Sequence, residues 1–212
     1  FVANYRDVTD RKLAKEKLIN ANRLYAFISG INQVIVHAID ENAIFKETCR
    51  IAHEIGMFKA AWIGMFGNQD KKINLVAECG LLTEDIALFT DAPIVTNGPQ
   101  RYVLDTDSYY ICNDSQNDFD LADWKLFAGI RGYGSFMILP IKKSGRTVGT
   151  FNLYASDKNF FNESEIGLLE EATCDISFDI DFFEKEKHRA QMERKLEQSE
   201  LRLNQAQAMA HF

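Results

Sequence analysis

Two apolar segments joined by a short turn constrain the fold of this 212-residue chain more than any other feature of its sequence. Residues 135–141 and 147–155 are rich in apolar side chains, and a glycine-containing turn at residues 143–146 separates them. Such a pattern predicts a β-hairpin. Residues 58–66 and 73–79 form a second pair around a polar turn. Because strands joined by tight turns pair antiparallel, the sequence predicts an antiparallel sheet.

Helical patterns at both ends of the chain predict the layer that covers this sheet. Residues 13–38 contain no proline and place apolar side chains three and four positions apart, and Asp40 is a suitable N-cap for the helix that follows. Asn162 and Glu165 have the spacing of a capping box, which predicts the start of a long last helix. We therefore expect an α+β fold with five or six antiparallel strands and the terminal helices on one face.

The segment over residues 81–130, which we call the lid, is expected to cover the other face. Its pattern predicts helices over residues 81–89 and 121–130, separated by a proline- and glycine-containing loop over residues 91–108. A sheet covered in this way encloses a small cavity, where ligands often bind. Four polar or amphipathic side chains at the edges of the lid are predicted to line it if a ligand exists: Asp114, Trp124, Tyr133 and Asn152.

Charge, hydropathy and cysteine spacing exclude several classes of protein. The chain has 24 Lys and Arg against 31 Asp and Glu, a net charge of -7, which argues against a nucleic-acid binder because phosphate contacts favour basic surfaces. No apolar run approaches the roughly 20 residues of a membrane span. The cysteines are too widely spaced for a zinc site or a disulfide framework, so we predict reduced thiols in the cytoplasm and no metal site. They are Cys49, Cys79, Cys112 and Cys174.

The central part of the chain, about residues 27–184, resembles a GAF domain. Residues 129–151 resemble the hairpin that the family writes as "gvrS…vPl…dG.vvGvl", and residues 160–165 resemble its "F.t.ed" start of the last helix. Asn113 and Asp114 match the polar end of its middle strand. The resemblance implies a non-catalytic sensory or regulatory module whose cofactor, if any, is unknown and is not required by the sequence.

Both ends of the chain carry a second resemblance. Residues 6–12 resemble the D-[IV]-T-x-R-K exit of a PAS domain, preceded by the end of that domain's last strand, and residues 196–203 and 206–212 resemble the helix that leads into another PAS domain. Residues 1–26 and 185–212 are accordingly interpreted as linkers in a PAS–GAF–PAS array. Such arrays occur in bacterial sensor histidine kinases and related cyclic-dinucleotide enzymes, so the output domain is expected outside this chain.

Three functions remain open at this level. The first is a module that binds a small molecule and relays signals through a parallel homodimer of its terminal helices, with an apolar seam at Leu13, Leu24, Phe27, Phe178, Phe182, Met192, Leu196 and Leu203. The second is a ligand-free dimerisation spacer. The third is a GAF-fold methionine sulfoxide reductase that would bring Cys79 and Cys112 together. No nucleophile–base pair stands out at a recognisable spacing, so we expect no catalytic residues and no turnover.

Overall fold

The computed structural model describes residues 2–38, 40–67, 72–89, 92–94, 98–117 and 122–210. Helices at both ends of the chain flank the strands, and the lid helices interrupt them. In chain order the elements are α1 Val2–His37, α2 Glu41–Glu54, β1 Ala60–Phe66, β2 Lys72–Cys79, α3 Thr83–Phe89, β3 Ala92–Pro93, α4 Pro99–Thr106, β4 Tyr110–Cys112, α5 Ala122–Arg131, β5 Ser135–Lys143, β6 Arg146–Ala155 and α6 Glu163–Ala210.

The strands form one antiparallel sheet in the order β3-β2-β1-β6-β5-β4. This confirms the predicted fold class and both predicted hairpins. The turn between β5 and β6 has positive φ at Ser144 and Gly145, 49° and 77°. A glycine adopts this left-handed conformation at little steric cost, which is why the short connection is tolerated.

Alternate residues of β6 face opposite layers of the molecule. Phe151 and Leu153 are buried against α1, α2 and α6, on the side that we call the helix face. Tyr154 is buried against α3, α4 and α5, on the side that we call the lid face. Because strand side chains alternate, Asn152 shares the lid face with Tyr154. Each large apolar side chain buried in either layer stabilises the fold by about 1.5–3 kcal/mol.

α1 and α6 run parallel across the helix face. At the start of α6, Arg23 Nη2 lies 2.6 Å from Glu165 Oε1. Farther along, Lys143 Nζ lies 2.9 Å from Glu41 Oε1, just beyond α1, and 3.8 Å from Glu184 Oε2 on α6. The stretch from Arg23 to Glu41 has almost the same number of residues as the stretch from Glu165 to Glu184, so both stretches run in the same direction between the two contacts. The N-terminal half of α1 and the C-terminal half of α6 therefore extend from opposite ends of the domain.

The predicted capping box begins α6. The amide N–H of Glu165 donates to Asn162 Oδ1 at 3.1 Å, and the amide N–H of Asn162 donates to Glu165 Oε2 at 3.3 Å. Two of the N–H groups that a helix start leaves unpaired are thus satisfied reciprocally.

Two local expectations were wrong. α4 lies inside the segment predicted to be a loop, because Gly98 and Pro99, which indicate a turn, here supply an N-cap and the first helical residue. Residues 2–5, which the PAS resemblance placed at the end of a strand, belong to α1. A strand is held by a partner strand, and none of the strands in the described residues pairs with this segment.

Candidate ligand site

Aromatic rings from the sheet and the lid form the centre of the lid face. The Trp62 and Phe89 rings stack at 4.8 Å between centroids, and the Tyr133 and Tyr154 rings stack at 4.6 Å. Trp62 Nε1 donates a hydrogen bond to the Tyr154 hydroxyl at 3.1 Å. Burial, reinforced by the charge of Asp85, raises the pKa of Tyr133 to about 12. Burial also raises the pKa of Tyr154, so both phenols are neutral and can donate hydrogen bonds at physiological pH.

Trp124 on α5 presents an unused donor to this cluster. Its ring lies 4.6 Å from that of Phe127 and 6.0 Å from that of Tyr154, in a nearly parallel arrangement with the latter. Its indole Nε1 is buried, and within the described part of the chain it has no hydrogen-bond partner. A buried N–H without an acceptor costs about 1–3 kcal/mol, so the position calls for an acceptor from elsewhere.

Asn152 is fully buried on the lid face of β6. Its Nδ2 donates to Thr150 Oγ1 at 3.0 Å and to the Trp62 carbonyl at 3.3 Å. Its Oδ1 accepts from Gln100 Nε2 on α4 at 3.5 Å, the outer limit of a hydrogen bond. The amide is therefore well anchored through its nitrogen, while its oxygen is held only weakly.

The structure brings three of the four predicted site residues onto the lid face and leaves the fourth at the surface. Trp124, Tyr133 and Asn152 lie in or beside the aromatic cluster. Asp114 follows β4 on the outside, where its carboxylate pairs with Lys158 at 2.9 Å and accepts from Asn117 Nδ2 at 2.7 Å. The hydrogen bond from Lys158 holds the pKa of Asp114 below its ordinary value. A half-exposed side chain engaged in this way orders the loop rather than lining a cavity.

An ion pair that sequence reasoning missed joins α3 to the end of α5. Arg131 Nη2 lies 2.7 Å from Asp85 Oδ1 and 2.5 Å from Glu84 Oε1, and its guanidinium lies 5.7 Å from the Phe127 ring centre. Asp85 is 1% exposed. The pair clamps two lid helices over the aromatic cluster. It carries no sequence signal, because its members are 46 residues apart.

Comparison with known proteins gives the family. A family model described as a GAF domain matches residues 38–181, more than half of the chain. The chain belongs to the GAF domain family. No protein with a curated description matches the sequence.

Several solved structures resemble this GAF domain at low sequence identity. The GAF domain of a phosphoenolpyruvate-protein phosphotransferase from Coxiella burnetii is 15% identical with a TM-score of 0.66, over 80% of this chain and 99% of that chain. A free methionine-R-sulfoxide reductase from Neisseria meningitidis is 15% identical with a TM-score of 0.64, over 76% and 90%. A domain of a putative two-component sensor histidine kinase from Sinorhizobium meliloti 1021 is 18% identical with a TM-score of 0.57, over 70% and 95%. At these identities the likeness shows the fold alone.

Cys79 and Cys112, the pair named from the sequence, lie far apart in the sheet. Cys79 is on β2 and Cys112 on β4, and three strands lie between them, a separation of roughly 19 Å. The suggestion that they converge was therefore wrong. Burial raises the pKa of the Cys49 thiol, and burial followed by the charge of Glu78 raises that of Cys79. Thiols with raised pKa values are poor nucleophiles, because the thiolate is the reactive form.

No three His, Cys, Asp or Glu side chains among the described residues form a group that could hold a metal ion. None of the helices described has the length and apolar character that crossing a membrane requires.

Proposed function

We propose that this GAF domain is a sensory module that binds a small molecule between lid and sheet and relays its presence through the terminal helices. One observation carries the proposal: the buried, unpartnered Nε1 of Trp124 in the aromatic cluster. Together with the weakly held Oδ1 of Asn152, it offers one donor and one acceptor among aromatic faces. A planar or apolar ligand with one acceptor and one donor group would satisfy both.

The hairpin that carries Asn152 is attached directly to α6. The backbone N–H of Lys142 donates to Ser177 Oγ at 3.0 Å, and that of Ser144 donates to the Asp181 carboxylate at 2.9 Å. A shift of the β5–β6 hairpin on ligand binding would therefore move α6, which supports a relay rather than an isolated binding site.

The ligand proposal is tested by native mass spectrometry of the purified protein, followed by titration of any compound that co-purifies. Trp124→Phe keeps a six-membered aromatic ring but removes the pyrrole ring with its N–H, so we expect it to weaken binding by about tenfold, one hydrogen bond, and to lower the free energy of unfolding by about 1 kcal/mol for the lost ring atoms. Trp62→Phe is the matched control. The indole N–H of Trp62 already donates to the Tyr154 hydroxyl, so removing it should lower stability. If neither co-purification nor a metabolite screen finds a binder, the ligand-free spacer is the better function.

We propose that the relay works in a parallel homodimer formed by the terminal helices. Phe178, Phe182, Met192 and Leu196 of α6 are exposed, at 53–72%, and follow one helical seam with the polar positions between them. Leu24 and Phe27, predicted for the same seam, are buried in the helix face of the monomer and cannot lie at a two-fold axis. The side chains of Leu13 and Leu203 lie outside the described residues.

Light scattering tests the dimer. Replacing Met192 and Leu196 with Asp should shift the measured mass from dimer toward monomer while circular dichroism remains unchanged. Leu126→Asp, which changes an equally exposed leucine on α5, is the control and should leave the dimer intact. A monomeric unmodified chain at high micromolar concentration would contradict the homodimer.

We place this module between PAS domains of a cytoplasmic bacterial signalling protein, with a histidine kinase or a diguanylate cyclase as output. The support is the resemblance of residues 6–12, 196–203 and 206–212 to PAS linkers, together with terminal helices that extend from opposite ends of the domain. The reductase alternative is weakened by the separation of Cys79 from Cys112 and by the raised pKa of Cys79. We expect methionine sulfoxide reduction by the purified chain to stay at background.

A further inference from the structure

The two carboxylate oxygens of Glu165 serve different partners. Oε2 accepts the Asn162 N–H and completes the cap of α6, while Oε1 lies 2.6 Å from Arg23 Nη2 on α1. Both side chains of the pair are largely buried, 11% and 6% exposed. The start of α6 and the middle of α1 therefore share a single carboxylate.

Arg23 has an unused hydrogen-bond donor beside this carboxylate. Its Nε is buried and, among the described residues, has no acceptor. Its guanidinium lies over the Phe160 ring, 4.4 Å from the centroid, which fixes the plane of the group. Arginine forms its strongest carboxylate pairs through two parallel N–H bonds. A second arrangement is thus available, in which Glu165 places both oxygens on Arg23 and releases the Asn162 N–H.

The loop after β4 connects the Arg23–Glu165 pair at the start of α6 to the candidate ligand site. Asn113 Nδ2 donates to the Phe161 carbonyl at 3.0 Å, and the Phe161 N–H donates to Asn113 Oδ1 at 3.2 Å, immediately before the cap. Two residues on, the Ser115 hydroxyl donates to the Tyr133 carbonyl, and the Ser115 N–H donates to the Gly134 carbonyl at 3.0 Å. Tyr133 belongs to the aromatic cluster, so hydrogen bonds run from the ligand site to the residue that precedes the cap.

We propose that Glu165 is a two-position switch, shared between the cap of α6 and a paired arrangement with Arg23, and that the Asn113–Phe161 bridge couples it to the lid site. This inference rests on the proposed sensory function and adds the residues through which that site regulates the helices. In the first position the carboxylate caps α6. In the second it binds α1 more tightly and loosens the first turn of α6. A switch of this kind needs two discrete arrangements of similar free energy, and the unused Arg23 Nε supplies the second.

The test measures amide hydrogen exchange by NMR on the full chain without ligand. Asn113→Ala removes both bonds to Phe161, and we expect it to raise exchange of the Asn162 amide at least about fivefold by favouring the uncapped position. Lysine carries the same charge but cannot form the two parallel bonds. In an Arg23→Lys background, Asn113→Ala should therefore raise that exchange less than about twofold.

The control background is Arg50→Lys. Arg50 is an exposed arginine that pairs with Glu47 and Glu54 on its own helix, so the full fivefold effect of Asn113→Ala should persist there. If the Asn113→Ala protein does not unfold cooperatively, Asn113→Ser replaces it.

Equal effects of Asn113→Ala in the unmodified and Arg23→Lys backgrounds, or no effect in either, would overturn the switch. These outcomes are independent of ligand binding. If a ligand binds at the lid but the effect of Asn113→Ala does not depend on Arg23, the switch alone is wrong. If that effect depends on Arg23 but no ligand is found, the sensory function is wrong and the switch at Glu165 is retained.

Discussion

The two faces of the sheet are buried to a similar depth but are built from different chemistry. The helix face is mainly aliphatic, with Ile63, Leu139 and Leu153 at 0% exposure. The lid face has a larger share of aromatic side chains and contains the polar Asn152 and the unpartnered N–H of Trp124. An aliphatic layer gives a planar ligand no ring to stack on, whereas an aromatic layer with an unused indole N–H offers both ring faces and a hydrogen bond.

Under the proposed function, this difference would separate stability from ligand binding along a single strand. Phe151 and Asn152 are neighbours on β6, are both almost fully buried and face opposite layers. If the helix face holds the fold and the lid face holds the ligand, equivalent substitutions at the two positions must have opposite consequences.

The largest effect is expected at Phe151. Phe151→Ala leaves a cavity among α1, α2 and α6 and should lower the free energy of unfolding by about 3–5 kcal/mol, measured by urea denaturation. Phe136→Ala, an equally buried phenylalanine on the lid face, is the comparison. A larger loss at Phe136 than at Phe151 would mean that the lid face carries the stability and would reverse the assignment.

A somewhat smaller, pH-dependent effect is expected at the one buried ion pair of the helix side in the described residues, Arg23–Glu165. Arg23→Met should cost about 3 kcal/mol near neutral pH, because it leaves a buried carboxylate without its cation. Burial raises the pKa of Glu165 in the folded protein, and the charge of Arg23 opposes that shift.

The sign of the pH dependence follows from these two contributions. Ionising Glu165 costs stability as the pH rises through its folded pKa, and the cost is greater without Arg23. The difference in free energy of unfolding between the unmodified protein and Arg23→Met should be largest near about pH 7. It should become smaller toward about pH 4, where the Glu165 carboxyl is protonated in both proteins. Thermal unfolding of both proteins at several pH values measures this difference in stability. A difference that grows on acidification would contradict the role given to the Glu165 charge.

The smallest effect on stability is expected at Asn152. Asn152→Leu has nearly the same shape but leaves Thr150 Oγ1 and the Trp62 carbonyl without this donor, so it should lower the free energy of unfolding by about 1–3 kcal/mol, less than Phe151→Ala. It should nevertheless abolish binding of any compound that co-purifies with the unmodified protein. A large loss of stability would show instead that this amide is a structural part of the core.

Local signals in the sequence predicted the framework of the fold but not every element. The β5–β6 hairpin and the Asn162–Glu165 cap depend on neighbouring residues, so their patterns are visible in a single sequence. α4 was missed because Gly98 and Pro99 serve equally in turns and at helix starts. β3 has only two residues, Ala92–Pro93, which is too short for any periodicity to register.

Which candidate residues lie on the lid face was partly predictable from the need to cover the sheet, whereas contacts between residues distant in sequence were not predictable. Asn152 and Tyr133 were identified because the lid has to cover one face of the sheet. Asp114 has the same polar character, yet Lys158 holds it at the surface. Arg23 and Glu165 are 142 residues apart, and nothing local to either residue indicates the other.

The unbroken length of α6 turns small displacements at its cap into large ones elsewhere. Beyond Glu184 the helix continues for about 26 residues to Ala210, which is ~39 Å at the rise of an α-helix. If the cap tilts this helix by about 5°, its far end swings by roughly 3 Å. Because α6 would rotate about its contacts with the sheet, the displacement needed at Glu165 is only a fraction of the displacement at Ala210.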